Sequence, residues 1–224
     1  MTFWSPLWLT FKLAFITTLI LLIVSVPLAW WLSGTRSKVK PLLEALVSMP
    51  LVLPPTVLGF YLLMAFSPKS IPGRFLLDTF NLKLVFSFEG LVIASIIYSL
   101  PFMVQPLHNG FGKIPVALKE ASAMLGKSQL TTLLRVLLPN MKSAVLTGLV
   151  LCFAHTIGEF GVVLMIGGNI PGKTRVASIA IYDQVERMDY DSAGTLSLIM
   201  VAITFSILLL LYIFNGGYFK RTSL

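Results

Sequence analysis

Five stretches of this chain, roughly residues 9–33, 42–66, 84–106, 143–166 and 195–215, are apolar over about the length a helix needs to cross the hydrocarbon core of a bilayer. That feature excludes most folds. In hydrocarbon every backbone N–H and C=O has to be satisfied within the structure, so runs of this length become helices. Composition agrees: 56% of the 224 residues are hydrophobic and 12% are charged, about half the charged share of an average soluble chain. The same figures exclude disorder. Cys152 is the only cysteine, so no disulfide can form within the chain. The expected fold is all-α: a polytopic membrane protein of about five transmembrane helices, one domain over residues 1–224.

The first run reads as a retained anchor, not a cleaved leader. No Lys or Arg lies between Met1 and Thr10, the apolar run is long, and no A-x-A site follows it. Lys12 is expected to snorkel toward an interface. Arg36, Lys38, Lys40, Lys113, Lys119, Lys127, Arg135, Lys142, Lys220 and Arg221 fall on one side of such a topology. Lys69, Arg74, Lys83, Lys173, Arg175 and Arg187 fall on the other. Ten cations against six predict a multi-pass protein of the cytoplasmic (inner) membrane with its N-terminus outside and its C-terminus cytoplasmic. The net charge of +8 belongs to these connections and forms no stripe, so no nucleic-acid partner is expected.

Two of the runs are interrupted. Pro50, Pro54 and Pro55 stand in the second, with Thr56 after them. Each proline removes a backbone donor and obstructs the preceding turn. The result is either a kinked packing helix or a break that lines a substrate path, as discontinuous helices do in transporters. In the fourth run, Glu159 lies near mid-span between Gly158 and Gly161, with His155 one turn earlier. A carboxylate there is costly. The spacing lets the two side chains hydrogen-bond, either as a proton relay or as a structural pin across a glycine-flanked break. No Lys or Arg lies deep in any run, as suits a conduit that must release what it carries. Cys152 is expected to pack as a small apolar residue, and His108 has no metal-ligating neighbours in sequence.

Residues 107–142 are too polar to span and too patterned for a loose loop. After Pro115, a favourable first helical residue, Ala117, Leu118, Ala121, Met124 and Leu125 recur at steps that place them on one helical face. Lys119, Glu120 and Ser122 point elsewhere. Gly126 permits a sharp corner, and a second run from Leu130 to Leu138 ends at Pro139. This predicts a short helical hairpin whose apolar stripe lies on the membrane or docks into a groove of a soluble partner.

Glu120-Ala121-Ser122, then Gly126, then Val136 to Pro139 resemble the EAA motif, E-A-A-x3-G-x9-I-x-L-P, with Ser122 for Ala and Val136 for Ile. That motif belongs to permease subunits of ATP-binding-cassette importers. The resemblance implies that the hairpin is a coupling helix seated in an ATPase, with Glu120, Ala121, Ser122, Gly126 and Pro139 carrying the coupling. Residues 49–59 resemble the second-span signature of molybdate permeases. Residues 158–161 and 168–174 resemble a span and outer loop shared by molybdate and sulfate permeases. By that likeness the chain is a homodimeric permease, not an enzyme. It would work with two cytoplasmic ATPase subunits and an extracytoplasmic oxyanion-binding protein, embedded in membrane lipid. ATP and Mg would bind the ATPase, and this chain would hold no cofactor and no metal. Molybdate is the expected cargo; tungstate and sulfate or thiosulfate are alternatives. A proton-coupled carrier or membrane enzyme using His155 and Glu159 is a remote one. Pro50, Pro54, Pro55, Thr56, Gly158, Glu159 and Gly161 become candidates for the pathway.

Residues 167–174 also satisfy G-x-x-x-x-G-K-[ST], the phosphate-cradling loop of nucleotide-binding proteins. Such a loop must leave a strand of a parallel sheet, and the 50 residues that follow, one span among them, cannot build a sheet. It reads instead as a turn at the outer mouth, where Asn169, Lys173 and Arg175 are candidates to attract an oxyanion or to contact the binding protein.

Overall fold

The computed structural model describes residues 4–215, and among them the secondary structure is entirely helical. Three helices are long and apolar enough to cross a bilayer unbroken: α1 (Trp4–Gly34), α5 (Phe88–Gly112) and α12 (Tyr190–Asn215, judged over Tyr190–Leu210). With two sharply bent helix pairs each counted as a span, the number rises to five. Lys220 and Arg221 lie outside the described residues.

The centre of the bundle is α1 packed on α5 and on α9 (Lys142–Gly158). Leu21, Ala29 and Leu32 of α1 meet Met103, Val104, Leu107 and Phe111 of α5, with Cys152 of α9 buried among them. Small polar groups join the same helices. Thr18 Oγ1 donates to Cys152 Sγ at 3.7 Å, and the Ser99 and Thr156 hydroxyls are 3.0 Å apart. Inside hydrocarbon such pairs and close van der Waals packing hold helices together, because lipid tails are as apolar as the side chains. Lys12 leaves this core and sets its Nζ 4.6 Å from the Phe88 ring, a cation–π contact at the start of α5.

Three boundaries depart from the sequence expectation. The third span continues six residues past 106, through His108 to Gly112, so the expected loop begins as helix and Pro106 sits within it. The second expected span, 42–66, is not one helix. It comprises α2 (Lys40–Ser48), a 3₁₀ turn (Met49–Leu51) and α3 (Pro55–Phe66), and the chain turns by 110° between the two halves. Pro54 and Pro55 cannot donate to the turn before them, which ends the helix at Leu51 and starts another at Pro55. The fourth, 143–166, is α9 followed after Glu159 and Phe160 by α10 (Gly161–Gly167).

Two of the connections between the spans hold short helices. In α4 (Ile71–Phe80), Ser70 accepts a hydrogen bond from Gly73 N at 3.0 Å, and Asn81 ends the helix at φ 51°. α11 (Ala177–Glu186) is tied to the bundle where Ala177 N donates to Thr10 Oγ1 at 2.8 Å. Only 17% of the apolar window of α12 is buried, so most of its surface faces what surrounds the bundle.

Candidate functional site

The two interrupted spans meet at their breaks. α3 packs along α10, and the contact is built on glycine. A Cβ on Gly161 would lie 2.9 Å from Pro55 Cβ and 3.2 Å from Thr56 N. A Cβ on Gly59 would lie 2.8 Å from Met165 Cβ and 3.0 Å from Val162 Cα. Gly59 follows Pro55 by one turn, and Met165 follows Gly161 by one turn, so the backbones run close over both. Sequence reasoning named Pro55, Thr56 and Gly161 but missed Gly59; its signal was the one-turn spacing from Pro55. Around this contact Pro50 is buried, Pro54 and Thr56 are exposed, and Gly158 has open space where a side chain would go.

Glu159 terminates α9 with its side chain 3% exposed. The expected hydrogen bond to His155 does not form. His155 stacks on Phe102 at 3.9 Å between ring centroids and lies 4.7 Å from Tyr98, which turns it away, and its Nε2 has no hydrogen-bond partner. Neither carboxylate oxygen of Glu159 has one either, nor does the buried hydroxyl of Ser95. What pins the break is backbone: Ser178 Oγ of α11 donates to the Glu159 carbonyl at 2.6 Å. Phe160 lies against Tyr182 of α11, ring centroids 5.1 Å apart. Sequence offered no pointer to Ser178, which lies 19 residues away.

Beyond α10, the loop with the nucleotide-binding pattern follows a helix, not a strand. Its threonine holds the loop itself: Thr174 Oγ1 donates to the Gly167 carbonyl at 2.7 Å and accepts from Ile170 N at 3.2 Å. Two of the three outer-mouth candidates are engaged. Arg175 pairs with Asp183 at 3.5 Å and donates from Nε to Asn169 Oδ1, while Asn169 Nδ2 donates to Asp183 at 3.1 Å. Arg187 completes the cluster, 3.1 Å from Asp183. Arg175 is therefore held by Asp183 of α11, which it shares with Arg187, and Lys173 stands exposed beside it.

At the opposite end of α5 the hairpin takes shape. α6 (Val116–Met124) follows Pro115, which precedes the first helical residue instead of occupying it. Gly126 adopts φ 64°, with Lys127 N bonded to the Ser122 carbonyl and Gly126 N to that of Ala123, a glycine-ended helix stop. The return limb is α7 (Gln129–Thr132), a π-helical turn (Leu133–Leu137) and α8 (Leu138–Asn140), set at 81° to α9. Of the expected apolar stripe, Leu118 packs against the core that holds Leu133 and Leu137, while Ala117, Ala121, Met124 and Leu125 do not. Met124 is 89% and Leu125 74% exposed, and Glu120 and Ala121 also face outward. Ser122 also turns inward, and its hydroxyl lies 2.7 Å from that of Thr132 and joins the two limbs. At the corner of the hairpin Met124 and Leu125 are left uncovered by the described residues.

Comparison with known proteins gives one answer. Residues 22–223 match the family of binding-protein-dependent transport system inner membrane components. The chain is 48% identical over 204 residues to the molybdenum transport system permease protein ModB of Azotobacter vinelandii, covering 91% of this chain and 90% of that one. It is 34% identical over 215 residues to a probable sulfate transport system permease protein cysT of Zygnema circumcarinatum, covering 96% and 73%. Its fold resembles a chain of a bacterial alginate ABC transporter, solved in complex with an alginate pentasaccharide-bound periplasmic protein, with TM-score 0.77 over 97% of this chain and 79% of that one at 16% identity. A polytopic helical bundle with two packed helix breaks, matched over nine-tenths of its length, belongs to the binding-protein-dependent transport system inner membrane components, the permease family of ABC importers.

Proposed function

We propose that this chain imports molybdate, as one of two identical permease subunits in an ABC importer of the cytoplasmic membrane. The single observation that carries the cargo is the extent of the likeness to a molybdenum permease, end to end and well above the identity to sulfate permeases. The N-terminus lies outside, which places the hairpin in the cytoplasm.

The pathway runs between the two copies, bordered by the paired breaks, where Pro54 and Thr56 reach the surface. The hairpin supplies the drive. Its exposed apolar residues seat in a cleft of a cytoplasmic ATPase, and Gly126 shapes the corner that fits there. Closure of the ATPase pair on ATP draws the two hairpins together and opens the pathway outward to an oxyanion delivered by a binding protein. Hydrolysis resets it inward. Lys173 is an exposed cation at the outer mouth, with no ion pair among the described residues. The Glu159 carboxylate is no part of the open route, and pathway selectivity rests on shape and on weak contacts.

The sulfate reading is the second choice, supported by the sulfate permeases among the relatives. Deletion of the gene discriminates between the two. Loss of molybdoenzyme activity that excess molybdate restores is the expected outcome; sulfur auxotrophy would transfer the chain to sulfate.

A further inference from the structure

A groove of about 410 Å³ opens between α1 and α9 at the base of the hairpin. Leu22 of α1 forms one wall, Leu146 and Leu149 of α9 the other, and Leu138 closes the hairpin end. The sole charged residue lining it is Lys142, exposed at the first position of α9. From Lys142 to Leu149 the groove follows α9 for about 10 Å along its axis.

Both walls belong to membrane-crossing helices, so the groove opens on hydrocarbon. Left empty, it would forfeit the dispersion contacts of its lining, and water has no polar partners along it. A hydrocarbon chain fills it at no such cost. Lys142 adds selection. Among the described residues no carboxylate lies within ion-pairing distance of its Nζ, so the cation at the mouth of the groove is open to an anion at headgroup depth.

We propose that this groove binds an anionic phospholipid from the leaflet on the hairpin side, one acyl chain between α1 and α9 and the phosphate on Lys142. The same lipid touches Leu138 and so braces the hairpin at its 81° junction with α9. The site lies apart from the helix breaks, so the lipid it binds does not depend on which oxyanion is the cargo.

The test titrates the full chain in detergent with phosphatidylglycerol or phosphatidylcholine and counts retained lipids by native mass spectrometry. Wild type is expected to hold phosphatidylglycerol about fivefold more tightly, the worth of one cation at an anionic lipid surface. Lys142→Gln, a change at an exposed side chain, should remove the preference and leave phosphatidylcholine binding as it was. Leu146→Trp should fill the groove and reduce retention of both lipids. Equal retention of the two lipids by wild type, or an unaltered preference in Lys142→Gln, overturns the proposal. So does a disulfide-linked dimer formed in membranes by Leu146→Cys in a Cys152→Ala background, because a second copy would then cover the groove.

Discussion

Gly161 and Pro55, 106 positions apart in sequence, are packed so tightly that a methyl group on the glycine would stand 2.9 Å from the proline Cβ. Neither residue can be read alone. Pro55 begins α3 and Gly161 begins α10, so each break is shaped against the other. Gly161→Ala is expected to destabilise the bundle by about 1–3 kcal/mol, as overpacking does, and to lower uptake while insertion persists. Gly194→Ala, in α12 with nothing within 4 Å of the new atom, is the control and should behave as wild type. Thermal unfolding in detergent together with uptake in cells decides.

Gly126 turns the hairpin at φ 64° with open space around it, so conformation, not crowding, limits substitution. Gly126→Asp should cost about 1–2 kcal/mol locally and abolish both uptake and co-purification of an ATPase, with membrane insertion intact. Gly126→Asn, which tolerates the left-handed region better, should retain more of both. Uptake and co-purification at the wild-type level in both variants would show that the corner has no role.

Ser178 and Glu159 separate backbone from carboxylate at the second break. Ser178→Ala leaves the Glu159 carbonyl without its donor and should cost about 1–3 kcal/mol, seen as a lower midpoint of thermal unfolding. Glu159→Gln keeps the shape of the side chain and removes its charge. Uptake near wild type is expected, and its abolition would revive a carrier that uses the carboxylate.

Arg175 and Lys173 should behave as opposites. Arg175→Ala strips a charged partner from Asp183 and is expected to lower stability by about 1–3 kcal/mol. Lys173→Ala should leave stability unchanged and slow uptake, the more so at low ionic strength, because an exposed cation acts through a screened field. Uptake indifferent to salt in both wild type and variant would remove Lys173 from the outer mouth.

Asp189 accepts a hydrogen bond from Ser192 N at 3.2 Å at the start of α12, and contacts with the Ser192 side chain and backbone hold its carboxyl below the ordinary 3.8. A depressed carboxyl stabilises the folded state above its unfolded value and loses that contribution as pH falls through the folded one. Asp189→Asn should therefore lessen slightly the loss of stability below about pH 4 and leave the limb near neutrality alone, as unfolding midpoints across pH would record.

The long spans and the hairpin were legible because both rest on local rules: apolar length for α1, α5 and α12, and spacing plus a corner glycine for the hairpin. The breaks were legible as interruptions, since proline and glycine announce themselves. Their partnership was not, because proximity of Pro55 to Gly161 or of Ser178 to Glu159 is set by tertiary packing that no window of sequence contains. The same limit explains His155. One helical turn permits a hydrogen bond to Glu159, but the Phe102 and Tyr98 rings supplied by α5 hold the imidazole elsewhere. Ser122 was read as pointing away from the business side of its helix, and it does; that direction is inward, toward Thr132.

The hairpin also bears on how the cell must make this protein. With Met124 and Leu125 left bare at the corner, an orphan copy carries an oily tip. Such a tip invites aggregation or proteolytic disposal before assembly. For a hairpin seated in an ATPase as proposed above, synthesis in step with that subunit leaves the fewest chains with the tip bare.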